Sequence, residues 1–182
     1  MQRRITTAAG ESWAMLPHSV CFVDPWLSPG IAHSLFGVER LGSILAQSWS
    51  SSDRPKRLAA YSGALSCEME VIDQITAACF AQFDCFPMLV AITMLYFSAA
   101  TFSEEQIRAG HNQVDDAFLL AHDARFTSIV ADLCKDSYKV DPANAAGFME
   151  RVAASIEPYN VVGLCDPARC NMYPFAVTAI KQ

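Results

Sequence analysis

Between Asp84 and Glu104 the chain carries no charged side chain. A run of that length must either lie in a protein core as a helix or cross a membrane. A membrane span takes about 20 apolar residues with anchors at both interfaces. This run contains Pro87, Thr93, Tyr96 and Ser98, and Ser103-Glu104-Glu105 follows it at once. The expected form is a buried core helix starting near Asp84, with the rest of the chain packed around it. The composition can build such a core: of 182 residues, 52% are hydrophobic and 18% charged. That length suits one domain, or one domain with an appendage.

Flanking segments supply the partners. Leu58, Tyr61, Leu65, Met69, Ile72, Thr76, Cys79 and Phe83 recur at steps of three and four, which predicts a long helix from about Pro55 to Phe83. Glu68, Glu70 and Asp73 fall off that stripe. Ser103 with Gln106 has the form of a capping box and predicts a new helix start, which Gly110 would end. A further helical turn or two is expected over Asp115 to His122. Asp123 should cap a helix whose apolar face is Phe126, Ile129, Val130 and Leu133. Asp141-Pro142 should open the last helix, carrying Phe148, Met149, Val152 and Ile156, with Pro158 stopping it. The tail beyond is rich in turn residues, and Arg169 and Asn171 read as staples that dock it.

The N-terminal part reads differently. Arg3 to Leu16 is expected to form one or two short strands turning at Gly10, and Val20 to Val23 another. The polar loop from Ser50 to Pro55 divides residues 1–49 from a helical part, 55–182. The fold class expected is mainly α with a few N-terminal β-strands.

One segment offers chemistry as well as fold. Cys21 to Gly30 reads CFVDPWLSPG, and Ile31, Leu35, Val38, Leu41 and Leu45 follow at helical spacing. Pro29 suits a first turn, where its missing N–H has no partner to lose. A helix opened by Ser28 and Gly30 presents free N–H groups and a partial positive charge, suited to an anion or the electron-rich end of a cofactor.

This segment resembles the D-P-x-x-S-[ST]-G turn of FAD-dependent oxidoreductases of the flavin-dependent halogenase type. The stretches Ile31 to Leu41, Met94 to Glu104 and Glu157 to Pro174 are similar to parts of the same family, in the family's order. The resemblance implies that Asp24, Pro25, Ser28, Pro29 and Gly30 contact the pyrimidine side of a flavin, with His18 near its ribityl chain. It implies FAD as cofactor and a small-molecule substrate. The chain would then be the C-terminal part of an α/β, Rossmann-type flavoprotein, either a truncated product or one half of a split enzyme.

Four departures qualify the resemblance. Pro17-His18-Ser19 stands where the family has Gly-Asp-Ala, so the usual carboxylate is gone. Pro29 stands where a small residue offers its N–H to halide, and Leu27 where tryptophan halogenases have a glutamate. Nowhere is there a G-x-G-x-x-G, whose glycines let the backbone approach a pyrophosphate. The chain alone is therefore expected to bind FAD weakly or not at all, and an N-terminal flavin-binding half is the expected partner. The rival reading is a stand-alone helical interaction module with no cofactor.

Other classes are disfavoured. Net charge is −6 and no basic run exceeds two residues, which argues against nucleic acid. The seven cysteines include no C-x-x-C pair; an odd number without a framework suits a reducing cytoplasm. His18 with Cys21, and Cys165 with Cys170, are loose pairs, short of a zinc site. The sequence names no catalytic residue.

Overall fold

The uncharged run is the central helix of the protein. The computed structural model describes residues 5–22, 24–110, 117–166 and 168. Six α-helices appear among them: α1 (Pro17–Val20), α2 (Gly30–Ser48), α3 (Arg54–Ala81), α4 (Phe86–Arg108), α5 (Ala124–Ser137) and α6 (Ala145–Ile156). Met88, Ala91, Ile92, Leu95 and Ala99 of α4 are shut off from solvent. They pack chiefly against α6, with α3 and α5 alongside. By length and composition alone α4 could cross a membrane; in this fold one side of it is the core. Its buried hydroxyls do not need outside partners. Thr93 donates to the Val90 carbonyl at 2.7 Å and Ser98 to that of Leu95 at 3.0 Å, bonds that fold a polar group back onto its own helix.

The long helix α3 runs through both parts of the molecule. Its first half, with Leu58, Tyr61, Leu65 and Met69, gathers Ala8, Val20 and Ile44 into one apolar cluster. Its second half, from Val71 to Cys79, joins α4, α5 and α6 in the larger core. Asp123 caps α5 by accepting from the Arg125 and Phe126 N–H groups. Asp141 accepts from Ala143 N–H and opens a 3-10 turn that leads into α6. Gly110 follows α4 with φ of +83°, the left-handed geometry that commonly ends helices.

Several expectations fail. No strand forms among the described residues; an isolated bridge joins Ala9 and Ala14. The arm does turn, with Gly10 N–H bonded to the Trp13 carbonyl at 2.9 Å. Ala8 N–H, however, goes to Ser62 Oγ on α3 at 2.9 Å, so a helix side chain takes a donor that a neighbouring strand would otherwise use. Pro17 starts a helical turn that absorbs Val20. Arg3, Arg4 and Val23 lie outside the described residues. Ser103 does not begin a helix: α4 runs unbroken from Phe86 to Arg108. The capping side chain offers little when the preceding turn, from Ala99 to Phe102, already supplies continuous helical bonds and core contacts. Over Asp115 to His122 the described part holds a 3-10 turn, Phe118–Leu120, while residues 115 and 116 lie outside, as do Arg169 and Asn171.

Candidate functional site

The turn before α2 is built without glycine, although two of its residues are left-handed. Leu27 has φ of +66° and Ser28 of +53°. Each such residue costs on the order of 1–3 kcal/mol and persists only where its surroundings impose it. Here Asp24 Oδ1 accepts from Trp26 N–H at 2.9 Å, and the Pro25 carbonyl from Ser28 N–H at 2.9 Å. The Trp26 ring is wedged edge-on against Phe83, with centroids 5.0 Å apart. Asp24 is thus a structural member of the turn. Pro29 is buried at the N-cap of α2, and no side chain caps that helix. Its first-turn N–H groups are the orphan donors of an open helix start.

His18 lies at this helix start. Its Nδ1 is 2.7 Å from Ser34 Oγ, and its ring edge is 3.2 Å from where a Cβ on Gly30 would sit. The structure therefore brings together His18 and Gly30, which are separated in sequence, and adds Ser34, which the sequence reading did not single out. Pro25 and Ser28 are exposed on the same turn.

Behind the helix start is a polar cluster that the sequence reading missed. Glu68 is fully buried, contrary to its place off the apolar stripe. Its Oε2 accepts from His33 Nε2 at 2.9 Å; its Oε1 accepts from Phe118 N–H at 2.8 Å and from Arg40. The carboxylate, beside a guanidinium, can only accept, which puts the His33 proton on Nε2. His33 Nδ1 and the Arg40 Nε and Nη1 atoms are buried without partners. The His33 ring stacks on Phe118 at 5.3 Å. Three chain segments thus meet at one carboxylate. His33, Gly37 and Arg40 recur at steps of four and three, a signal of a shared face overridden by the louder spacing of Ile31, Leu35 and Val38.

Next to this cluster an apolar cleft of about 180 Å³ opens between α2 and α4, lined by Ala32, Phe36, Tyr96, Ala100, Phe118 and Leu119. A cavity near 150 Å³ holds a benzene ring, so the cleft has room for a single-ring apolar group. Leu119 and Leu120 beside it are left-handed, at φ of +53° and +55°. The thiols nearby are not activated. Burial pushes Cys79 up to about 11 and Cys134 up to about 12, which keeps both as inert thiols. Burial likewise pushes Tyr61 up to about 12, with Arg40 opposing the shift and Glu68 adding to it. No grouping of His, Cys, Asp and Glu suited to a metal occurs among the described residues.

No family model matches the sequence, and no curated protein does. Among solved structures, the chain is similar to the halogenase PltM, solved in complex with ethyl mercury and mercury. The TM-score is 0.63 at 15% sequence identity, over 86% of this chain. The match covers 36% of the PltM chain, so this chain spans about a third of that protein's length. At that identity the likeness is one of fold: this mainly helical chain has the fold of part of a halogenase.

Proposed function

We propose that this chain is the C-terminal part of an FAD-dependent oxidoreductase or monooxygenase of the halogenase-like family, inactive on its own and acting in the cytoplasm. The fold likeness to PltM over 86% of the chain carries this reading. The turn from Asp24 to Gly30 would supply the flavin contact through Ser28, Gly30 and the open start of α2, with His18 held over it by Ser34. FAD would supply the redox chemistry; the protein would orient it and exclude water. A small-molecule substrate would sit in the cleft between α2 and α4, since Ala32 and Phe36 of its wall belong to the first two turns of α2. The loss of the ribityl carboxylate at Pro17-His18-Ser19 favours the rival, a cofactor-free helical module.

Flavin retention separates the two. The isolated chain should purify colourless, because a single helix start contributes only about 0.3–1 kcal/mol, up to ~2 when partly buried. Co-expression with a neighbouring reading frame that encodes a G-x-G-x-x-G unit should give a yellow complex with stoichiometric FAD. A yellow protein from the chain alone, or a colourless complex, would sink this reading.

A further inference from the structure

We infer that the ligand of the cleft between α2 and α4 is a small monocyclic amine, bound as its cation; calling it the substrate rests on the flavoenzyme reading above. The volume of about 180 Å³ admits one ring with a short substituent. The wall is aromatic, with Phe36, Tyr96 and Phe118 all contributing to it. Phe36 and Phe118 meet edge-on, with centroids 5.4 Å apart, so the wall turns a corner instead of lying flat. Aromatic side chains pack against an apolar ring, and their electron-rich faces also attract an ammonium group.

Charge sets the sign of the ligand. Among the described residues that line the cleft, Glu104 is the one that is charged. It stands in the last turns of α4, whose C-terminus carries a partial negative charge. Its Oε1 accepts from Arg108 at 3.0 Å, but both side chains are half-exposed, and an i,i+4 pair of that kind is weak. A ligand cation can therefore share the carboxylate. An anion would find no cationic side chain among the described residues of the lining and would be repelled by Glu104. The far wall fixes the orientation. Ala32 lies in the first turn of α2, at the partial positive end of that helix, which turns an ammonium group away. The ammonium thus sits at Glu104, and the ring points towards the start of α2, where the cofactor is proposed to lie.

The test is a titration of the full chain, followed by ligand-observed NMR, with benzylamine, its neutral analogue benzyl alcohol and the anion benzoate. Benzylamine should bind about tenfold tighter than benzyl alcohol, the combined effect of a part-exposed ion pair and a cation–π contact. Benzoate should bind most weakly. Glu104→Gln should weaken benzylamine about fivefold and leave benzyl alcohol unchanged, whereas Arg108→Gln, which frees the carboxylate, should tighten benzylamine about twofold. Opposite signs from two neighbouring changes on one helix are not what a loss of fold produces. Ala32→Leu narrows the cleft from an exposed position and should weaken both ligands together. Equal binding of amine and alcohol, tighter binding of benzoate, or any other response of the three variants overturns the inference. Amine binding by the chain, with a colourless complex on co-expression, overturns the flavoenzyme reading and leaves the ligand class standing. A yellow complex whose chain shows no preference for the amine does the reverse.

Discussion

His33 Nε2 and Glu68 Oε2 meet 2.9 Å apart where neither side chain touches solvent. That contact fixes which side of α2 faces α3. Because Arg40 and the Phe118 N–H converge on the same carboxylate, it also ties the cleft wall to the helix start. A buried carboxylate without partners would be very costly, so these contacts are obligatory once Glu68 is inside.

Removing the carboxylate charge should therefore be severe. Glu68→Gln leaves a buried guanidinium unpaired, and breaking such pairs costs about 3–5 kcal/mol. Equilibrium urea unfolding should show this as a large fall in midpoint. The triple change His33→Leu, Arg40→Met, Glu68→Leu should recover most of the loss, since apolar replacements of buried ion groups are often neutral. It should not recover all of it, because the Phe118 N–H would lose its acceptor at about 1–3 kcal/mol. Wild-type stability in Glu68→Gln would show that the carboxylate is not buried in solution.

Two glycines of α2 should respond in opposite directions. Gly37→Ala places a methyl 2.4 Å from Pro17 Cδ and should destabilise by about 1–3 kcal/mol. At Gly42 nothing lies within 4 Å of the new Cβ, so Gly42→Ala should stabilise the isolated chain by about 0.5–1 kcal/mol. Thermal melts of the two variants check this. An equal response would mean that α2 does not present the faces described.

The same helix shows what was legible in the sequence. Steps of three and four from Ile31 to Leu45 marked the helix observed at Gly30–Ser48, because periodicity reports the helix itself. Which face goes inward depends on partners, and most of the evenly spaced apolar residues face solvent. Glu68 went unrecognised for the same reason: its acceptance into the core depends on His33, 35 residues away, and on Phe118, 50 residues away. Asp123 was read correctly, since a cap is settled within three residues, whereas Asp141 caps the 3-10 turn ahead of α6, which itself starts at Ala145. Ser103 has the form of a cap, but the helix before it does not stop. His18 and Gly30 were read as parts of one site and the structure places them together; Ser34, which holds His18, carried no sequence signal.

Alkaline pH should unfold the protein through Tyr61. Its hydroxyl donates to the Met15 carbonyl at 2.9 Å, and burial holds the phenol at about 12. The unfolded chain ionises near the ordinary value of 10.0. The unfolded state thus loses the proton first, so this contribution is intact below pH 10 and falls away as pH rises towards 12. Its size is on the order of 1–3 kcal/mol. Tyr159, also pushed up to about 12 by burial and by Asp123, should add to the same limb. Tyr61→Phe should be less stable at neutral pH, where the Met15 carbonyl loses a donor at about 1 kcal/mol, but should decline less steeply above pH 10. Stability against pH, with tyrosinate absorbance followed in parallel, gives the readout. Parallel curves for the two proteins would exclude Tyr61 as the group responsible.

The last prediction concerns halide. Pro29 is buried at the N-cap of α2 and has no N–H to give. If the flavin-bearing complex forms, it should be a poor halogenase, because a desolvated anion deprived of one donor loses roughly 1–3 kcal/mol. Pro29→Thr restores that donor at a position where threonine is well accepted, so the start of α2 should stay intact. The assay is product formation with reduced flavin as chloride or bromide is raised, in wild type and variant. The expected result is little halide dependence in the wild type and a gain of about 5- to 150-fold in Pro29→Thr, the same free energy expressed as a ratio. Efficient halogenation by the wild type would place the halide at some other donor, and Pro29 would then mark nothing more than the N-cap of a helix.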